Sequence, residues 1–291
     1  MFEGCATAII TPLCEDGSAV DFEGFKNLIK YQLEGGVNAL VVLGTTGAPV
    51  TLSESECEAV VHFAVKEVDG RVPVIVGAGS NNTFEAVKNS IKYQKLGADG
   101  LLHVTPYYNK CTQKGLVQHF LKIADATSLP IILYNVPERT GLNMLPKTVE
   151  VLSVHKNIVG LKEANSDIQQ AAEIIRLCPD LLLYSGNDSL TLPIMSVGGK
   201  GVISVAANIV PKAMSGICKD FFEGNTEKAK EVQLNLLPLI KALFCETNPI
   251  PVTTALSLMK KTAGGFRLPL TPMSDENKNL LKTELANLGL I

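Results

Sequence analysis

The sequence predicts an α/β protein, a TIM-type (β/α)8 barrel with a C-terminal helical extension. Two observations carry that prediction. Eight short apolar, β-branched runs recur through residues 1–224, each followed by polar or glycine residues and a helical pattern. Beyond residue 224 the strand pattern stops and only helical periodicity remains. Runs that are apolar on both sides of their alternation belong to a parallel sheet covered by helices. Eight such units favour a closed barrel over an open sheet. No G-x-G-x-x-G follows the first run, as a dinucleotide-binding open sheet would require.

In chain order the runs are residues 6–10, 39–43, 72–76, 100–104, 130–134, 158–162, 181–184 and 202–205. Their spacing of roughly 20 to 35 residues matches a strand plus a crossover helix. The intervening helices have legible ends. Phe22, Phe25, Leu28 and Ile29 form a stripe that closes at Gly35-Gly36. Ser53 with Glu56 has the spacing of a capping box, opening a helix that runs to Gly70, and Ser166 with Gln169 repeats the device. Pro146 suits a first helical position. In the tail, Leu234, Leu236, Leu237, Leu239 and Ile240, then residues 253–259, then 277–288, predict three helices. The expected organisation is a catalytic barrel over 1–224 and a helical extension over 225–291.

Composition narrows the function classes. The chain is 46% hydrophobic and 19% charged, enough to build a large core. A net charge of -3 and no Lys/Arg cluster argue against nucleic acid as a partner. The start lacks a basic segment followed by an apolar one, and no apolar run approaches the roughly 20 residues that span a bilayer. Seven dispersed cysteines without a C-x-x-C pair suggest reduced thiols, so a cytoplasmic protein with no membrane partner is expected. The four histidines show no paired ligand spacing, and no G-x-S-x-G is present. A mechanism without metal or cofactor, built on an amine, is the expectation that remains.

In such a barrel the chemistry lies at the carboxyl ends of the strands. Lys162 closes the sixth run. An amine held partly out of water is a better nucleophile toward a ketone, although a lysine there can also snorkel to the rim or pair with Glu163. Tyr134 closes the fifth run and is expected beside Lys162 on the adjacent strand. A phenol there can pass the protons of imine formation, or simply plug the barrel. Gly44-Thr45-Thr46-Gly47 follows the second run, where backbone and hydroxyl groups can take a small carboxylate. It lacks the ending of a phosphate loop, and such a turn is common in any barrel. Arg139 lies one loop beyond Tyr134 and offers a planar fork to a second carboxylate, or to solvent. Tyr107-Tyr108-Asn109 is equally open taken alone.

Read together, Gly44-Thr45-Thr46-Gly47, Tyr107-Tyr108-Asn109, Tyr134-Asn-Val-Pro-Glu-Arg139-Thr-Gly141, Gly160-Leu-Lys162-Glu-Ala, Ser185-Gly186-Asn187-Asp188 and Gly201-Val-Ile203-Ser resemble the dihydrodipicolinate synthase (4-hydroxy-tetrahydrodipicolinate synthase) family. That family belongs to the N-acetylneuraminate lyase superfamily of class I pyruvate aldolases. The resemblance runs from Gly4-Cys-Ala-Thr-Ala-Ile-Ile-Thr-Pro12 to the helical tail. It implies a homotetramer, a dimer of dimers, that condenses pyruvate with aspartate-4-semialdehyde in lysine and diaminopimelate synthesis. By the family's pattern Lys162 forms the imine, and Tyr134 and Thr45 pass protons with Tyr108 reaching in from a neighbouring subunit. Thr46 holds the pyruvate carboxylate and Arg139 that of the semialdehyde, while Gly186 and Ile203 complete the pocket.

N-acetylneuraminate lyase and the 2-keto-3-deoxy sugar acid aldolases share the lysine and tyrosine. Arg139 within Asn-Val-Pro-x-Arg-Thr, and Thr45-Thr46 in place of Ser-Thr, favour the synthase. A catalytically silent keto-acid-binding relative is a rival of another class, but every expected reactive side chain is present. The chain departs from the family at Ala48-Pro49, where Glu is usual, and at Cys111, where proline is common. It also has Glu54 and Cys57 near an effector histidine position. Asn81 and Glu85 match the effector pocket of lysine-inhibited members, and Tyr107 can belong to it, but the departures at Glu54 and Cys57 argue against inhibition by lysine.

Overall fold

The computed structural model describes residues 1–291. Eight strands close into a parallel barrel in chain order, with the last pairing the first. They are β1 Gly4–Ala8, β2 Ala39–Val42, β3 Val74–Gly77, β4 Gly100–Val104, β5 Ile131–Asn135, β6 Ile158–Glu163, β7 Leu182–Ser185 and β8 Gly201–Ser204. Around them lie α1 Phe22–Glu34, α2 Glu54–Val68, α3 Thr83–Lys95, α4 Gln113–Ala124, α5 Pro137–Thr140, α6 Pro146–Ser153, α7 Ile168–Leu177, α8 Thr191–Ser196 and α9 Pro211–Phe222. After Gly224 the chain continues as α10 Thr226–Ala242, α11 Ile250–Leu258 and α12 Asp275–Asn287. No helix is long and apolar enough to cross a membrane.

The (β/α)8 prediction holds, and its local signals hold unevenly. The Ser53–Glu56 box is complete: the Ser53 amide donates to Glu56 Oε2 at 2.8 Å and the Glu56 amide to Ser53 Oγ at 3.2 Å. Pro146 opens α6 as expected. The second box is not formed. Asp167, one residue later, caps α7 by accepting from the Gln170 amide at 3.1 Å, and its negative charge suits the positive end of the helix. The first strand ends at Ala8 rather than Ile10. The Ile10 amide leaves the sheet for Asn208 Oδ1 at 3.2 Å, and the run still looks strand-like because the site's surroundings bury it. The α2 pattern runs to Gly70, but the helix stops at Val68 with Asp69 in the left-handed conformation.

Alternation along each strand sorts side chains into two cores. Leu40, Leu101, Leu133, Leu161 and Leu183 face outward against the helices. Ala6, Ile75, Ile132, Tyr184 and Ile203 face inward and fill the barrel. At the amino-terminal end Phe2 stacks on Tyr184 with ring centroids 4.3 Å apart, and the Tyr184 hydroxyl donates to the Phe2 carbonyl at 2.6 Å. The barrel therefore has a solid floor, and ligand space is left only above it.

Candidate active site

Lys162 and Tyr134 occupy facing register positions on β6 and β5, and both are buried. Lys162 Nζ lies 4.4 Å from the centroid of the Tyr134 ring. Both side chains point inward, since Ile132 and Tyr134 share the interior core while Leu133 and Leu161 face the helices. On the other side Lys162 pairs with Tyr184. Two tyrosines thus flank one lysine, and only Tyr134 is free to serve it, because the Tyr184 hydroxyl is spent on the floor.

The Thr45-Thr46 loop follows β2 as a single turn of 3-10 helix, Thr45–Gly47. Leu43 and Ala48 on either side have φ of 55° and 47°, a conformation that costs a side-chain-bearing residue about 1–2 kcal/mol. Gly77 makes room for it: a Cβ there would lie 2.1 Å from the Leu43 carbonyl oxygen. Thr46 is buried, and its Oγ1 accepts from Asn248 Nδ2 at 3.1 Å. Arg139 sits on α5, a four-residue turn opened by Pro137. Its Nη2 donates to the Asn248 carbonyl at 3.0 Å. Asn248 therefore joins the threonine and the arginine, and its own Oδ1 is buried without a partner.

Thr45, Tyr134, Arg139 and Tyr107 line one cleft of about 550 Å³, the size of a small-molecule site. Ile203 forms part of the interior wall on β8. Gly186 packs over the end of β6, its amide donating to the Glu163 carbonyl at 2.7 Å. A Cβ at Gly186 would lie 2.6 Å from Ala164 Cβ. Tyr108 is the one expected catalytic side chain that does not converge within the chain. It is 90% exposed, with φ of 70°.

The outer end of the cleft carries Glu54, Cys57, Glu85, Lys88 and Lys92. Glu54 is engaged by Lys92 at 2.7 Å and Lys88 at 3.3 Å. Asn81 spends its side-chain amide on the Tyr107 carbonyl at 3.2 Å. Burial pushes His103 down to about 3 and His119 to about 4, and both lie away from the mouth, bonded to Ser90 and Thr83.

Two residues escape sequence reasoning. Asn248 comes from the helical extension, 202 positions from its partner Thr46, and an Asn-Pro pair signals only a turn. Glu163 does not pair with Lys162. It points to the outer face and accepts from Asn135, Asn165 and Gln170.

A lysine and a phenol paired across neighbouring strand ends, above a closed floor and beside a threonine and an arginine joined through Asn248, are the arrangement of a lysine-dependent aldolase-type barrel. The comparisons with known proteins go one level further. Residues 1–288 match the model of the Dihydrodipicolinate synthetase family, and the chain belongs to that family. A curated 4-hydroxy-tetrahydrodipicolinate synthase from Caldicellulosiruptor saccharolyticus is 53% identical over 290 residues, covering 100% of this chain and 98% of the relative. The crystal structure of dihydrodipicolinate synthase from Thermotoga maritima superposes with a TM-score of 0.97 at 49% identity, covering 100% of both chains. An Acinetobacter baumannii dihydrodipicolinate synthase, described as chloride-inhibited and complexed with pyruvate, superposes with a TM-score of 0.97 at 40% identity, again covering 100% of both chains.

Proposed function

We propose that this chain is a lyase that condenses pyruvate with L-aspartate-4-semialdehyde to 4-hydroxy-tetrahydrodipicolinate, through an imine on Lys162. The observation that carries this reading is the Tyr134–Lys162 pair, in register on adjacent strands with the amine against the phenol ring.

The steps follow from the chemistry of an imine. The Lys162 amine adds to C2 of pyruvate, and the carbinolamine loses water, with Tyr134 supplying and recovering the protons. The cationic imine is an electron sink, so C3 gives up a proton and becomes an enamine carbon. That carbon attacks the aldehyde, and Thr45 and Tyr134 relay the proton that the new alkoxide takes up. The semialdehyde's amine then adds at C2 and expels Lys162, closing the ring. One C–C and one C–N bond form between the substrates, and one water is lost overall. Thr46 holds the pyruvate carboxylate, Arg139 the semialdehyde carboxylate, and Gly186 and Ile203 line the pocket. Asn248 fixes the spacing of the two carboxylate sites, which makes the extension (225–291) a working part of the barrel (1–224). No step calls for a metal or a cofactor.

The exposure of Tyr108 supports an assembly, a homotetramer, in which it completes a neighbour's relay. Asn81, Glu85 and Tyr107 stay as a candidate effector site whose lysine response a titration of activity would read. A cytoplasmic location belongs to the same reading, and the seven free cysteines accord with it.

Borohydride with pyruvate is expected to trap an adduct on Lys162, located by peptide mapping. An adduct on another lysine, or none, overturns the mechanism. Turnover of the semialdehyde, coupled to a reductase that consumes the product, is expected to exceed turnover of any keto-deoxy sugar acid. Arg139→Ala is expected to damage semialdehyde use while leaving pyruvate trapping nearly intact, and equal losses would remove its assigned role.

A further inference from the structure

We propose that Glu163 is a positioning residue for the imine chemistry, clamping β6 to β5 on the outside of the barrel wall so that Lys162 meets Tyr134 on the inside. This rests on the function proposed above.

The need for a clamp comes from the way the two strands pair. Ile131 lies opposite Ile158, but Ile132 lies opposite Gly160, so Val159 is an extra residue on β6. A one-residue slip in such a pair turns every following side chain to the other face. In the unshifted register Tyr134 would face Leu161, and the amine would point at the helices. Beyond the irregularity, two adjacent pairs set the geometry: Tyr134 with Lys162 inside, and Asn135 with Glu163 outside.

The outer pair is bonded directly. Asn135 Nδ2 donates to Glu163 Oε1 at 2.9 Å and Oε2 at 3.1 Å. The Asn165 amide donates to Oε1 at 2.8 Å, and Gln170 Nε2 on α7 donates to Oε2 at 3.1 Å. The orientation of Asn135 is fixed independently, because its Oδ1 accepts from the Met144 amide at 2.9 Å. Its amide nitrogen must therefore face Glu163. Asn143 ties the far side, accepting from Asn135 Nδ2 at 2.8 Å and donating to Gln170 at 2.8 Å. A single buried carboxylate, on the residue that directly follows Lys162, thus binds the side chain that directly follows Tyr134.

Every group hydrogen-bonded to Glu163 is a donor, so its partners suit the ionised form. A protonated carboxyl would have to turn a hydrogen toward a donor. No lysine or arginine faces it. β5 presents Asn135, the turn before α6 presents Asn143, and α7 presents Gln170 and its capping Asp167, the one other charged group acting on it. Burial raises the Glu163 carboxyl to about 7, against the pull of its donors. The clamp therefore engages as the pH rises through about 7. The stability consequence has the opposite sign. A carboxyl raised in the folded state contributes stability below its ordinary 4.5 that is lost as the pH rises through about 7. Activity and stability pull apart at one residue, which a purely structural carboxylate would not do.

The test is Glu163→Gln in the full chain, checked for folding by its melting curve. Expected are a kcat at pH 8 lowered by roughly tenfold or more with a smaller change in KM for pyruvate, slower borohydride trapping at Lys162, and loss of the acidic limb of kcat near neutrality. The variant is also expected to lose the wild type's decline in stability between pH 4.5 and about 7. Wild-type kcat with the same acidic limb overturns the proposal. An inactive wild type would instead overturn the function on which it rests. Should the glutamine variant not fold, Asn135→Asp places a second carboxylate against Glu163 and is expected to move the acidic limb to higher pH. A limb that stays in place overturns the proposal.

Discussion

At the amino-terminal end of the barrel, Phe2 stacks on Tyr184, the tyrosine hydroxyl is bonded, and the interior is apolar. At the carboxyl end the same strands run into loops that hold Leu43, Ala48, Tyr108 and Lys110 at positive φ, with an unpartnered Asn248 Oδ1 among them. One end is satisfied and closed, and the other is strained and open. Strained backbone persists only where its surroundings over-determine it. The floor, the outer core and the Asn248 bridge do that for the mouth. Tyr134 and Tyr184 show the division most sharply, one residue type flanking Lys162 from two strands with one serving the mouth and the other closing the floor.

The largest expected effect tests the mouth. Tyr134→Phe is expected to lower kcat by about 100-fold, the upper part of what proton relay commonly supplies being larger still, with melting behaviour unchanged. Wild-type kcat in this variant would erase the difference between the two tyrosines. Phe2→Ala tests the floor. Loss of the stacked ring is expected to cost about 3 kcal/mol in denaturant unfolding, with kcat kept at a temperature where the variant is folded. A fall in kcat without a fall in stability would show that the ends are not separable.

A smaller effect concerns how the extension ties to the barrel. Arg267 donates to both Glu56 carboxylate oxygens, at 2.9 and 2.7 Å, and to the Gly17 carbonyl at 2.7 Å. It holds Glu56 down at about 2, helped by the Ser53 amide. A carboxyl depressed in the folded state stabilises above its ordinary 4.5 and loses that contribution as the pH falls toward 2. Arg267→Ala is expected to cost about 1 kcal/mol at neutral pH, given partial solvent screening, and to flatten the acid side of a stability–pH curve. An unchanged acid profile would remove this tie from the account.

Most of the barrel was legible because its signals are local. Strand alternation, the Gly35-Gly36 stop, the Ser53–Glu56 box and Pro146 each depend on a few neighbouring residues. The second capping box failed for a local reason too, since Asp167 competes with Ser166 within one residue. Of the site, Lys162 and Tyr134 were legible as run ends on consecutive strands, and Thr45, Thr46 and Arg139 as polar residues in the loops that follow strands.

What the sequence by itself determined was the order of eight strands, the extension and the side chains at the strand ends. Tertiary structure alone decided which face each end residue takes across the irregular β5–β6 pairing, because the position of an extra residue depends on the partner strand. It decided that Glu163 binds Asn135 rather than Lys162, since adjacent strand residues point apart. It also brought Asn248 between Thr46 and Arg139, a contact spanning 202 positions that no local pattern encodes. Such contacts form only when the extension packs across the barrel mouth.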